Sequence, residues 1–575
     1  MKKRICILLA FVMVTLSACG TNVNVNVQSA DKEAVDETKD EVPEETEPAE
    51  EAKPQEDSGN EKLPVYKLVY KYYDQKYSGK EKEDGAGNKL EGKKVFEGLN
   101  QVFMVADESK DLYPELYKSL NDDALAELKN GDANAEGMTE QAGQDADSSK
   151  ADGRPFYGPY TDYLRVSVTR ADAKVFSYCQ DYSNYMGGAH GMYGRSGYNY
   201  DVATGKKLDI TDIADVTEDQ LIPVIKEKLL QLNEPEAYDD LDEKLSDYKL
   251  GVETQYNEET DEYTFGFDWY LDFDGIHFYF GPYEIAAYAT GASDVLIGYD
   301  EFPGKIKEEY LPDKTKGYIV ASDIPMNGKS WDDENDKSLH FVYDTEDQEY
   351  NENDEWYCTS LTLKRNGKSA TAEDEYFTYS YDKGFVDQYR VVTADGKEYI
   401  YVCALSFDDF TDIMVFDITG DDVRLAGVTS CERGYADVNT DNMGKIIFTD
   451  PENICLGDRC DMLGTFSCQA RYVVGADGMP ELADKDFSIC WVDDAVKSLK
   501  DIKVTSLDEN YEEQGEETLP SGSLILPVRT DMKTYIDCRL DDGKLIRLKY
   551  DSIDYPAKIN GESVEDLFDG LTYAG

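Results

Sequence analysis

The spacing of apolar positions along the 575-residue chain changes twice. From Gly20 to about Lys62 almost no large apolar side chain occurs. From Leu63 to Leu311 helical and strand-like spacings alternate, and beyond about Lys316 only short strand-like runs remain. Val65 to Tyr73 reads as a strand. Leu116, Tyr117, Leu120, Leu125 and Leu128 recur at helical spacing within Tyr113 to Lys129, and Pro114 suits a first turn. Asn130 to Gly153, rich in Gly, Ala and Asp, is expected to form a mobile loop. Tyr160 to Thr169 and Lys174 to Tyr182 predict paired strands, and Tyr193 to Val202 another, closed by Ala203-Thr204-Gly205. The clearest helix starts at Thr217, which forms a capping box with Gln220, while Val216 is placed to staple onto Leu221. Leu221, Ile222, Ile225, Leu229 and Leu232 continue it. Gly275 to Phe280 and Val295 to Tyr299 predict the last strands before Leu311. The expectation over residues 63–311 is an α+β domain, helices against an antiparallel sheet.

Beyond Lys316, strands are predicted at Ser338 to Tyr343, Ser360 to Leu363, Val402 to Phe407, Ile413 to Phe416, Lys445 to Phe448 and Cys468 to Val474. These define an all-β domain over residues 316–512, for which a propeller-like sheet and a sandwich fit equally. Leu524 to Val528, Thr534 to Arg539 and Leu545 to Tyr550, with Asp541-Asp542-Gly543 as a hairpin turn, predict a separate small β-barrel over 515–575. That tail is similar to SH3-like barrels at the ends of clostridial surface proteins.

The N-terminus changes where these domains are expected to reside. Lys2, Lys3 and Arg4 precede an apolar run from Ile5 to Leu16, followed by Ser17-Ala18-Cys19. A basic start, a short apolar core and small residues describe a secretory signal over residues 1–18. The run is shorter than the roughly 20 residues a bilayer span needs. Leu16-Ser17-Ala18-Cys19 resembles a lipobox. The resemblance implies diacylglyceryl and palmitoyl chains on Cys19 and a lipid-anchored protein at the extracellular face of the cell membrane. A plain secretory signal with a chance cysteine is the competing reading. Residues 19–62, with Asp31 to Asp57 dense in carboxylates and broken by Pro43, Pro48 and Pro54, are expected to be a disordered acidic stalk.

The formal charge is -62, from 120 acidic against 58 basic residues. Such a field repels phosphate backbones and excludes nucleic acid as a partner. It favours cationic partners, although solubility alone would account for it. Tyr, at 43 residues, agrees with β-rich domains. Nine cysteines remain beyond Cys6 and Cys19, so at least one is unpaired, and the sequence leaves any disulfide map open.

The most distinctive words are Gly187-Gly188-Ala189-His190-Gly191, Tyr198-Asn199-Tyr200-Asp201 with Thr204-Gly205, and Gly275 to Ile285 with Tyr288 and Gly291. In order and spacing they resemble the RsiV-type extracellular domain, domain of unknown function 3298. Tyr113-Pro114-Glu115-Leu116 and Ala171 to Ser177 resemble its usual partner, domain 4163. The resemblance runs from Leu63 to Leu311. One member of that family is an anti-sigma factor whose outer domain binds lysozyme, and another carries a peptidoglycan deacetylase. A cleaved lipid anchor leaves no cytoplasmic segment for the first role, and this chain has no deacetylase domain. The resemblance therefore implies a non-catalytic domain that binds lysozyme, as a cationic protein, or peptidoglycan. Gly187, Gly188, His190, Tyr193 and Tyr198 are the candidate ligand-binding residues. The competing structural reading makes the glycines a turn and His190 the partner of a backbone carbonyl. His277, among strand residues, reads as a satisfied structural histidine.

Other candidates read as structural. Asp437, Asn439 and Asp441 lack the glycine and the bidentate Glu of a calcium loop. Cys455, Cys460 and Cys468 lack zinc-site spacing. No nucleophile elbow, P-loop or dinucleotide fingerprint occurs. Three histidines, well separated, give little support to a metal hydrolase. No catalytic residue, metal or cofactor is assigned. A wall-modifying enzyme accessory, or a structural and assembly role for the C-terminal half, are the alternatives.

Overall fold

The computed structural model describes residues 63–257, 262–322, 324–328, 339–344, 355–380, 387–405, 410–432, 450–490 and 495–573. Cys19, the acidic stretch, the strand expected at Lys445 to Phe448 and the triplet Asp437, Asn439 and Asp441 lie outside them. The molecule is mostly sheet.

Five strands form the first sheet in chain order: β1 (Tyr66–Lys76), β2 (Lys94–Val105), β3 (Tyr160–Ala171), β4 (Val175–Tyr185) and β5 (Met192–Asp201). Their neighbours are antiparallel except β2 and β3, which run parallel. The expected all-antiparallel sheet is corrected at that pair, and the reason lies in Asn130 to Gly153, where the expected loop is also corrected. That segment is helical. A single helix, α1, runs Pro114–Asp152 and packs on β2, carrying the chain back to start β3 alongside β2.

The buried residues of α1 give the reason. Leu116, Leu120, Asn121 and Ala124 are followed by Gly131, Ala135, Ala142, Ala146 and Ser149, a continuous stripe of small side chains at helical spacing. Small residues let the helix approach the sheet closely. A Cβ on Gly131 would stand 1.9 Å from Nδ2 of Asn100, which donates to the Glu127 carbonyl at 3.1 Å. Gly153, at φ 66°, ends the helix.

A second helix, α2 (Glu218–Leu232), starts at Thr217 as expected, with the Gln220 side chain accepting from the Thr217 amide at 3.1 Å. It is followed by one short helical turn, α3 (Leu241–Ser246). Leu221, Ile225 and Leu229 pack on Ile276, Phe278, Phe280, Val295 and Ile297 of an antiparallel three-stranded sheet. Its strands are β6 (Asp268–Leu271), β7 (Gly275–Phe280) and β8 (Ser293–Gly298), in that order. Alternation turns His277 and Tyr279 to the opposite face.

That opposite face meets the first sheet through polar groups. A Cβ on Gly197 would stand 1.9 Å from the Trp269 carbonyl, so glycine permits the approach of β6 to β5. Asn199 donates to that carbonyl at 3.1 Å, and the Leu271 amide donates to Ser177 Oγ and Asn199 Oδ1, each at 3.1 Å. These buried side chains satisfy backbone groups of β6 in place of a strand neighbour.

Beyond residue 316 a nine-stranded sheet, from Tyr318–Ala321 to Arg424–Glu432, is followed by an eleven-stranded one, from Ile454–Cys460 to Phe568–Asp569. The expected separate barrel over 515–575 does not form. Its strands Leu524–Thr530, Tyr535–Leu540 and Leu545–Lys549 lie between Phe487–Ile489 and Ile502–Leu507 in the eleven-stranded sheet, and no closed barrel occurs among the described residues. The reason is a shared core: Cys460, Leu463 and Cys468 pack in one cluster with Ile525, Ile536, Ile546 and Leu548. The turn at Asp541-Asp542-Gly543 is as expected, with Gly543 at φ 83°. Among the described residues no helix is long and apolar enough to cross a membrane.

Candidate functional site

The hairpin joining β4 to β5 brings the glycine-rich word to the surface. Gly187 has φ 79°, a conformation that glycine adopts without strain. Gly191 is demanded by space, since a Cβ there would stand 2.4 Å from the Asn184 carbonyl. Gly188 is open, and its carbonyl accepts from the Tyr185 hydroxyl at 3.2 Å.

His190 follows, exposed, and meets a second loop that leaves β7. In that loop Tyr283 has φ 72° and is 50% exposed. The His190 ring stacks on Tyr288 at 3.9 Å between centroids, and Tyr283 lies 5.5 Å from Tyr288. Tyr193 meets Tyr288 edge-on at 6.0 Å. Nδ1 of His190 lies 2.9 Å from the Gly191 carbonyl, which can only accept, so Nδ1 carries the proton. Nε2 then accepts from the Tyr283 hydroxyl at 3.3 Å. The Tyr288 hydroxyl donates to the same Gly191 carbonyl at 2.9 Å. Tyr182 and Met186 are also exposed on the β4–β5 hairpin. The result is an aromatic surface held in place by stacking and by hydrogen bonds to one loop carbonyl.

Of the five candidates, Gly187, Gly188, His190 and Tyr193 belong to this hairpin. Tyr198 does not. Five residues from Tyr193 on one strand, it points to the other face. There it stacks on Tyr178 at 5.0 Å, donates to Gln180 at 3.1 Å, and has Lys207 over its ring at 4.7 Å. Burial pushes its hydroxyl up to about 12. Tyr283 and Tyr288 were not among the candidate residues, although both stand in the distinctive word that begins at Gly275.

His277 occupies a different environment between the two sheets. Nε2 lies 2.9 Å from Asp272 and Nδ1 2.9 Å from Asp294, and the ring stacks on Tyr270 at 4.4 Å. Burial alone would push its pKa down, but the two carboxylates outweigh this and raise it to about 9. Asp294 is held low: burial opposes this, and hydrogen bonds and charge from His277, Tyr270 and Arg195 prevail. Arg195 pairs with Asp181 at 2.7 Å and with Asp294 at 3.0 Å. Every ring nitrogen and carboxylate here has a partner within the fold, as expected of a structural histidine. Among the described residues no group of three His, Cys, Asp or Glu side chains is arranged to hold a metal ion.

Residues 209–300 match the family described as protein of unknown function (DUF3298), so the chain carries a DUF3298 domain, over a narrower span than 63–311. That span contains His277, Tyr283 and Tyr288; the His190 hairpin precedes it. Among solved structures the chain is similar to a member of the DUF3298 family from Bacteroides fragilis, at 18% identity over 43% of this chain and 95% of that one, with a TM-score of 0.31. It is also similar to a DUF3298 family protein from Pseudomonas aeruginosa, at 16% identity over 44% of this chain and 99% of that one, with a TM-score of 0.26. No curated protein matches.

Proposed function

We propose that the protein is a lipid-anchored cell-surface protein whose DUF3298-containing region is a non-catalytic recognition domain. Its binding face is the aromatic surface of His190, Tyr193, Tyr283 and Tyr288. One observation carries this reading: Tyr283 is held half-exposed at a positive φ beside a stacked, exposed histidine. Neither feature helps to fill a core, and exposed tyrosines on a fixed backbone are efficient contact groups because little entropy is lost on binding.

The partner on this reading is a cationic protein of the lysozyme type. The formal charge of -62 supports it, by steering basic proteins toward the surface. Peptidoglycan is the other ligand the RsiV-type resemblance suggests. Residues 60–575 are to be titrated with lysozyme and, separately, sedimented with purified peptidoglycan. Lysozyme binding that weakens with salt and falls at least about tenfold in His190→Ala is the expected outcome. Sedimentation with peptidoglycan and no lysozyme binding moves the assignment to the wall polymer. No binding to either at low salt removes the reading.

A further inference from the structure

A surface groove on the helical side of this region combines an apolar lining with an acidic rim. It is an open depression between α2 and α3 with room for about 480 Å³, comparable with the roughly 300–1,000 Å³ of ordinary ligand sites. Leu230, Pro235 and Tyr238 give it an apolar lining, and Asp240, Asp242 and Glu243 give it an acidic rim. All three rim carboxylates are exposed. Lys226 also lines the groove and is neutralised there by Asp242, whereas Asp240 and Glu243 form no ion pair with a described residue and leave the rim a net negative charge.

One wall of the groove is tied by its backbone to the loop that carries Tyr283 and Tyr288. The Asp239 amide donates to the Ile285 carbonyl at 3.2 Å, and Tyr238 bridges Ala286. The Thr290 hydroxyl donates to the Ala237 carbonyl at 3.4 Å. The groove wall is thus fastened to the loop that carries Tyr283 and Tyr288. Tyr238 is fixed in turn, its hydroxyl donating to the Leu229 carbonyl at 2.7 Å.

We infer that this groove receives a lysine or arginine side chain of the protein that docks on the aromatic surface, an inference that rests on the proposed recognition function. The division of the groove fits that side chain. Its methylene stem lies on the apolar lining while its charged head meets the rim. A free anion is repelled, and a neutral side chain leaves the rim carboxylates without a counter-charge.

The test uses the Asp240→Asn/Glu243→Gln double variant of the ectodomain with lysozyme as probe. Asparagine keeps the size of Asp240 and tolerates its φ of 47°. A control variant, Glu509→Gln/Asp541→Asn, removes two exposed charges from the eleven-stranded sheet region. The expected result is an affinity at least roughly fivefold lower, with a shallower salt dependence, in the groove variant only. Lysozyme with acetylated lysines and lysozyme with blocked arginines then distinguish the two side chains. If His190→Ala abolishes binding but the groove variant equals the control, the groove inference fails and the recognition reading stands. If the wild type binds and neither His190→Ala nor the groove variant differs from the control, both fail at these surfaces. No lysozyme binding by the wild type overturns the groove inference, and the recognition reading is then decided by sedimentation with peptidoglycan.

Discussion

Two histidines separate the roles within this region. His190 and His277 each have both ring nitrogens engaged and a tyrosine ring stacked on them. His277 faces two carboxylates between sheets; His190 faces a carbonyl and a phenol at the surface. The partners decide what each does. Carboxylates fix the charge of His277 and make it a strut. Neutral partners leave His190 held in position while its ring stays available to a ligand. A complete set of hydrogen bonds therefore does not by itself mark a histidine as structural; the charge and depth of its partners do.

The largest effect is expected at His277. His277→Ala leaves Asp272 and Asp294 without their shared counter-charge and is expected to cost about 3 kcal/mol in urea unfolding. If the loss is under about 1 kcal/mol, the strut assignment fails. The pH dependence sharpens it. The pKa is raised on folding, from its ordinary 6.5 to about 9. Its contribution is therefore complete below about pH 6.5 and lost as pH rises through 9. The stability difference between wild type and His277→Gln should shrink by about 3 kcal/mol over that window. A difference that is flat with pH would mean that the ring is neutral in the fold.

The small-residue half of α1 offers effects of both signs. Gly131→Leu forces a branched side chain against Asn100 and is expected to destabilise by about 2 kcal/mol. Gly137 is exposed with open space around its would-be Cβ. Gly137→Ala should stabilise by about 0.8 kcal/mol, the helix-propensity difference. Thermal unfolding of the two variants checks them together, since a loop over residues 130–153 would be indifferent to both.

The β7 strand and the capped start of α2 were readable because large apolar residues and cap residues carry a strong local signal. The satisfied state of His277 was readable from its place inside a strand, but its partners come from other strand ends. The second half of α1 was unreadable as helix for a physical reason. Its buried stripe is Gly, Ala and Ser, which read as loop composition until a sheet packs against them. The barrel boundary failed because one core joins strands about 60 residues apart. At the site, the glycine word located the hairpin correctly. Strand parity could have set Tyr198 aside, as it lies an odd number of residues from Tyr193. The convergence of Tyr283 on His190, 93 residues away, is tertiary and left no trace in local spacing.

The smallest stability effect is the most telling one. His190→Ala removes an exposed ring whose hydrogen bonds are to a neighbouring carbonyl and to a phenol with access to water. Unfolding stability should move by no more than about 0.5 kcal/mol, the range of ordinary surface substitutions. Near-ultraviolet circular dichroism should register the change all the same, because Tyr288 loses the ring stacked on it. A stability loss comparable with that of His277→Ala would make the aromatic surface part of the structural framework and would erase the distinction between the two histidines. A neutral stability effect combined with lost ligand binding is the result that the distinction requires, because only a residue free of structural duty can be spent on recognition.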